Sequence, residues 1–257
     1  MTDATRVALV TGAAQGIGEA IALRLADDGL DVALVDLPTK HSQLETVAQA
    51  IRTKGQRAIV VDADVSQEAD VEGMVTKAVE QLGGLDVMVA NAGICLWSSI
   101  VDQTVESWDA TMSVNARGVM LAFKHAARRM IAQKRGGRII AASSVVGKQG
   151  QREVGAYCAS KFAVRGLIQA AANELRSHNI TVNGYCPGVI MTSMTAHPDD
   201  DTHGGHGSAM SRAVGITSDI KPAPPEVVAS FVSYLAKPES RYITGQSVNI
   251  DGGWRMD

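Results

Sequence analysis

Tyr157-Cys158-Ala159-Ser160-Lys161 sets a phenol and an ammonium four residues apart, a spacing that puts both on one face of a helix. A phenol with a reference pKa of about 10 is a poor proton carrier at neutral pH, but a nearby cation favours its phenolate. Tyr157 beside Lys161 can then accept the proton of an alcohol under oxidation, or return it to the developing alkoxide in reduction. Ser143-Ser144 ends an apolar run thirteen residues before Tyr157, and a hydroxyl there can stabilise the same oxygen as charge builds on it. Alone, a Tyr-x-x-x-Lys pair also occurs on solvated helix faces, so the elements around it carry the argument.

Thr11-Gly12-Ala13-Ala14-Gln15-Gly16-Ile17-Gly18 joins the first strand to the first helix. Glycines there permit a tight turn and let backbone amides approach a pyrophosphate at the helix N-terminus. Asp36 closes the second strand, about twenty residues beyond the glycines, where a carboxylate accepts hydrogen bonds from an adenosine ribose. Leu37 and Pro38 supply no cation for a 2′-phosphate and Lys40 is the nearest basic side chain, so NAD is expected in preference to NADP. Asp64-Val65 and Asn91-Ala92-Gly93 follow the third and fourth strands, at the edge where parallel sheets bind ligands. An oxidised nicotinamide would add a second positive charge beside Tyr157.

The positioning elements alternate. Val7–Thr11, Asp31–Asp36, Ala58–Asp62, Asp86–Ala90, Arg138–Ala142, Thr181–Tyr185 and Gln246–Ile250 read as strands. Gly16–Asp28, Ser42–Lys54, Glu68–Leu82, Val105–Gln133, Val154–His178 and Pro225–Leu235 read as helices between them. Runs apolar on both faces imply parallel strands covered on both sides. The expected fold is α/β: a single-domain, doubly wound Rossmann sheet of seven parallel strands spanning residues 1–257. Residues 193–225 break the pattern with Asp, His, Gly, Ser and Pro, and are expected to form a flexible flap over a substrate pocket. Within it, His197, Asp199, Asp200, Asp201, His203 and His206 invite a metal reading, but such a segment offers no fixed ligand frame, and no metal is expected.

A net charge of -3 gives no basic field for nucleic acid. No run near the N-terminus is long enough for a signal peptide or membrane span. Cys95, Cys158 and Cys186 form no C-x-x-C pair, which argues against a disulfide framework. A cytoplasmic protein is expected.

Taken together, Thr11-Gly-x-x-x-Gly16-x-Gly18, Asn91-Ala-Gly93, Ser144, Tyr157-x-x-x-Lys161 and Pro187-Gly188 resemble the motif set of the short-chain dehydrogenase/reductase family, in an order that covers nearly the whole chain. Ala90 stands where many members have a second asparagine. The resemblance implies a catalytic set of Asn115, Ser144, Tyr157 and Lys161, with Asn115 holding a water in a proton relay through Lys161. It also implies nucleotide contacts from Gly12, Gln15, Gly16, Ile17, Gly18, Asp36, Leu37, Asp64, Val65, Asn91, Ala92, Gly93, Tyr157 and Lys161, and from Pro187, Gly188, Val189 and Thr192 around the carboxamide.

The stretch from Ser160 to Gly188 is similar to the NAD-linked acetoin reductase and 2,3-butanediol dehydrogenase branch, from which Val145 departs because that branch has a polar residue after the serine. Trp97, Ser144, Val145, Val146, Gln151, Tyr157, Tyr185 and Met194 are the candidate substrate contacts. Three activities stay open: a dehydrogenase of acetoin or butanediol, a ketoreductase of bulkier cyclic alcohols, and an NAD-binding redox sensor without chemistry. An enoyl reductase or epimerase fits the spacing less well. The resemblance further implies a homotetramer packed through the two long helices, and Gly252-Gly253-Trp254 is expected to reach a neighbouring subunit.

Overall fold

The computed structural model describes residues 5–213, 215 and 221–256. Residues 214 and 216–220, inside the expected flap, lie outside the described residues.

Seven parallel strands form one sheet in the order β3-β2-β1-β4-β5-β6-β7. They are β1 (Val7–Thr11), β2 (Asp31–Asp36), β3 (Ala58–Asp62), β4 (Val87–Ala90), β5 (Gly137–Ala142), β6 (Ile180–Pro187) and β7 (Ser247–Ile250). Side chains alternate across the sheet. Val7 and Leu9 of β1 enter one apolar core and Ala8 and Val10 the other, which is why the strand reads as an unbroken apolar run.

Helices α1 (Gly16–Asp27) and α2 (His41–Thr53) cover one face together with α9 (Glu226–Ala236), through Ile21, Leu25, Leu44, Val228 and Val232. The opposite face is covered by α3 (Glu68–Leu82), α5 (Gly118–Gln133) and α6 (Gly155–Leu175), through Met74, Leu121, Val164 and Ile168. Strand order reverses between β1 and β4, so a crevice opens there at the carboxyl ends.

The expected helix over residues 105–133 is broken. α4 (Val105–Met112) and α5 flank a π-helical turn, Ser113–Arg117, in which the Gly118 N–H reaches back five residues to the Ser113 carbonyl. Apolar periodicity cannot register one extra residue in a turn, and such turns recur at functional sites. Here it carries Asn115. Strand β6 also runs two residues past Tyr185, pairing Cys186 and Pro187 with Asn249 and Ile250.

The expected structureless flap holds two short helices, α7 (Asp200–His203) and α8 (Ser208–Ala213). One carboxylate organises them. Asp200 accepts hydrogen bonds from the backbone N–H of His197 (2.9 Å), Gly207 (2.9 Å) and Ala209 (3.0 Å), which hold its pKa down to about 2. Side-chain-to-backbone bonds of this kind leave no periodic trace in a sequence. Among the described residues no three His, Cys, Asp or Glu side chains converge on a point, and none of the helices is long and apolar enough to cross a membrane.

Candidate active site

A cavity of about 490 Å³ follows the carboxyl edge of the sheet from the glycine turn to Tyr157, and every residue expected to contact the nucleotide lines it. At its nucleotide end, Gly12 (φ +66°) and Gly16 (φ +61°) hold left-handed backbone that favours glycine. A Cβ on Gly12 would come within 2.9 Å of the Asn91 amide. Gln15 gives α1 no side-chain cap, so the first amides of the helix open on the cavity with no side chain answering them. That arrangement fits a pyrophosphate.

Asp36 accepts from the backbone N–H of Ala14 (3.1 Å) and of Leu37 (2.9 Å), which fixes the carboxylate at the cavity wall. Lys40, expected only as a nearby cation, lines the same cavity. Its Nζ donates to Gln15 Oε1 (3.3 Å), while Gln15 Nε2 donates to Ser193 Oγ (2.9 Å). The glycine turn is thereby linked to the start of the flap.

Asn91 locks the ends of β1 and β4 together. Its Nδ2 donates to the carbonyls of Thr11 (2.9 Å) and Gly12 (3.2 Å), and the backbone N–H groups of Asn91 and Ala92 donate to Thr11 Oγ1.

At the reacting end, α6 carries Tyr157 and Lys161 one turn apart, and both face the cavity. Lys161 is buried; its Nζ lies 5.4 Å from the centre of the Tyr157 ring and donates to the Ala142 carbonyl at 2.8 Å. The Ser144 hydroxyl is close enough to the Tyr157 phenol to favour its ionised form, and its Oγ accepts from the Val146 N–H at 3.3 Å. Ser143 instead donates to the Lys161 carbonyl at 3.0 Å, tying β5 to α6. Serine, phenol and ammonium thus meet at one end of the nucleotide cavity.

Their electrostatics correct the expectation from spacing. Burial pushes the Tyr157 phenol up, the Cys95 thiol adds to the effect, and the Ser144 hydroxyl opposes it. Burial also brings Lys161 down to about 8. In the protein alone, desolvation outweighs the attraction that four-residue spacing suggests, because Lys161 is enclosed, Tyr157 is partly buried at the cavity wall, and the ammonium donates to a carbonyl.

Asn115 stands behind the cavity wall. Its Oδ1 accepts from the Ile94 N–H (2.9 Å) and its Nδ2 donates to the Ile94 carbonyl (2.8 Å) and to Ser160 Oγ (3.1 Å). The amide therefore braces the chain after Gly93. Gly93 needs that placement, since a Cβ there would lie 3.2 Å from Asn115 Oδ1 and 3.4 Å from Lys161 Nζ.

Of the expected substrate contacts, Trp97, Val145, Val146 and Met194 line the cavity with Ser144 and Tyr157. Two do not serve. Gln151 is turned away, its Oε1 accepting from Arg255 Nη2 at 3.2 Å. Tyr185 borders the cavity but is fully buried, with its hydroxyl donating to Asn91 Oδ1 at 2.9 Å. Its strand position points it inward, where the nearest polar partner is the asparagine.

Sequence reasoning missed Cys95, Val154 and Met210, which also line the cavity. None belongs to a motif, and tertiary folding alone brings them there. Trp254, expected to reach a neighbouring subunit, lines the cavity of its own chain and stacks under Arg255, 4.6 Å from ring centre to guanidinium.

Comparison with known proteins agrees with this geometry. The family model described as short chain dehydrogenase matches residues 6–203. A short-chain dehydrogenase/reductase of Armillaria gallica is 50% identical over 253 residues, covering 98% of this chain and 97% of the relative. An L-2,3-butanediol dehydrogenase of Corynebacterium glutamicum is 39% identical over 253 residues, covering 97% and 98%. Among solved structures, a blue fluorescent protein from a metagenomic library, in complex with NADPH, superposes with a TM-score of 0.86 at 35% identity, covering 98% of each chain.

Proposed function

Because this chain belongs to the short-chain dehydrogenase family, we propose that it is an NAD(H)-dependent alcohol dehydrogenase or ketoreductase interconverting a secondary alcohol and a ketone. The observation that carries the reading is the meeting of Ser144, Tyr157 and Lys161 at one end of a nucleotide-sized cavity.

The bound nicotinamide supplies the hydride in reduction and takes it in oxidation. In reduction, as hydride reaches the carbonyl carbon, the C=O electron pair withdraws to oxygen and takes the Tyr157 proton; oxidation runs the same transfer backwards. Ser144 donates a hydrogen bond to that oxygen as charge builds on it. Lys161, 5.4 Å from the Tyr157 ring centre, would bring positive charge to the phenol and could hold the nicotinamide ribose through its remaining donors. Asn115 positions the strip from Gly93 to Cys95 and touches no reacting atom.

Asp36 favours NAD, since its carboxylate would meet a 2′-phosphate with like charge. Lys40, 3.3 Å from Gln15 Oε1, is the one basic side chain on that wall among the described residues. The likeness to a butanediol dehydrogenase makes acetoin a first substrate to test. A cytoplasmic homotetramer is part of the same reading, supported by the exposed apolar side chains Ile100, Val101, Val105, Trp108 and Phe162 along α4, α6 and the loop before them.

Tyr157→Phe tests the proposal. Turnover of ketones with NADH should fall by about 100-fold or more, the scale of acid–base catalysis, while NADH binding persists. Unchanged turnover would refute the assignment. NADH binding by the wild type without turnover of any ketone would favour a redox sensor.

A further inference from the structure

Three features around the reacting oxygen bear on what the substrate carries beside its carbonyl, and the inference from them rests on the hydride-transfer reading above. The first is the wall next to Tyr157. Val145, Val146, Val154 and Cys158 form a small apolar cluster that also takes in Cys95, Tyr157 and Trp254. Two of the polar side chains beside it are already engaged: Ser143 donates to Lys161, and Gln151 accepts from Arg255. A second oxygen adjacent to the reacting carbonyl would be desolvated against valine and thiol without a partner, and an unpartnered buried polar group is strongly disfavoured.

The second feature is a further chamber of about 590 Å³, itself of the size that binds drug-like molecules, about 300–1,000 Å³. It adjoins the main cavity, since Trp97, Met194, Thr195 and Met210 line both. The third feature is exposure at that junction. Trp97 and Met194 are each 43% exposed, large apolar surfaces left open beside the reacting groups. Ala196 and Ala209 line it as well, together with the polar side chains Glu153, His197, Asp199 and Arg212.

We infer that the substrate is a ketone or secondary alcohol on a rigid apolar skeleton of two or more fused rings, whose body passes between Trp97, Met194 and Met210 into the second chamber. Flat apolar ring faces would cover the tryptophan and the methionine thioethers. A four-carbon hydroxyketone leaves this surface bare and strands its second oxygen against Val145. The walls are held for such a ligand: Asp200 fixes α7 to α8 through three backbone N–H groups, and Thr195 Oγ1 bonds the Ile190 and Thr192 carbonyls.

The experiment compares acetoin with 2-decalone, each with NADH, on the wild-type protein and on Ala209→Phe and Ala196→Phe. Both alanines line the second chamber and not the main cavity, so the new rings fill the proposed body site from two sides. The expected result is a kcat/KM for decalone at least tenfold above that for acetoin in the wild type. Either variant should lower decalone turnover at least tenfold while leaving acetoin turnover within twofold, which also certifies that the variant is folded. A preference for acetoin overturns the inference, as does a decalone rate that neither folded variant changes; both outcomes leave hydride transfer standing. Turnover of neither ketone in the presence of bound NADH overturns the enzymatic reading, and this inference with it.

Discussion

The Tyr185 hydroxyl donates to Asn91 Oδ1 at 2.9 Å, joining β6 to the end of β4 across the intervening β5. Asn91 in turn holds the carbonyls of Thr11 and Gly12. A fully buried phenol on one side of the sheet thus sets the edge on which the dinucleotide would lie. The nucleotide site is braced from the substrate half of the fold.

Tyr185→Phe should leave the half-buried Asn91 Oδ1 without its donor, costing about 0.5–1.5 kcal/mol of stability. Urea unfolding would measure the loss, and NADH titration should show weaker binding with little change in the ratio of rates among ketones. Unaltered stability would show that the bond contributes nothing net.

Replacing Asp36 by serine should raise the kcat/KM ratio of NADPH to NADH at least about tenfold, about 1.4 kcal/mol. The like charge facing a 2′-phosphate is removed, while Lys40 remains on the same wall. Steady-state kinetics with both cofactors would read this directly, and an unmoved ratio would take Asp36 out of cofactor selection.

Lys161 has a distinct pH signature. Its pKa stands at about 8 in the folded protein, below the ordinary 10.5, because burial penalises the ammonium. Between those values the unfolded chain binds more protons than the native one, so stability rises with pH across that window. Below about 8 the lysine is charged in both states and its contribution is flat. Unfolding measured from about pH 8 to 9.5, below the titration of phenols, should show a rise in the wild type that Lys161→Met lacks. Parallel slopes would mean that the lysine keeps its ordinary proton affinity.

Asp200 behaves in the opposite sense. Backbone donors hold its carboxyl at about 2, below the ordinary 3.8, so its contribution is present above the ordinary value and is lost as pH falls through about 2. Asp200→Asn should leave NADH binding intact and raise KM for the ketone. Limited proteolysis should cut the variant faster between residues 193 and 213. Equal cleavage and KM would show that the flap is held by other contacts.

Local sequence carried much of this molecule. Unbroken apolar runs such as Val7–Thr11 identify strands covered on both faces, because parallel strands bury every side chain. The glycine turn, Asp36, and the Tyr157–Lys161 spacing mark the nucleotide and reacting ends, since each feature is fixed by backbone conformation or helix geometry within a few residues. Those signals are short in range, and so is the reasoning that reads them.

What spacing could not supply is the environment. The π turn that aims Asn115 at Ile94, the burial that raises the Tyr157 proton affinity, and the bonds of Tyr185 to Asn91 and of Gln151 to Arg255 all arise from groups far apart in the chain. Desolvation and hydrogen-bond partnership depend on what surrounds an atom in space. Residue types and their order therefore determined the fold class and the candidate reacting groups, whereas only the tertiary packing decided which of those groups face the cavity and how tightly each holds its proton.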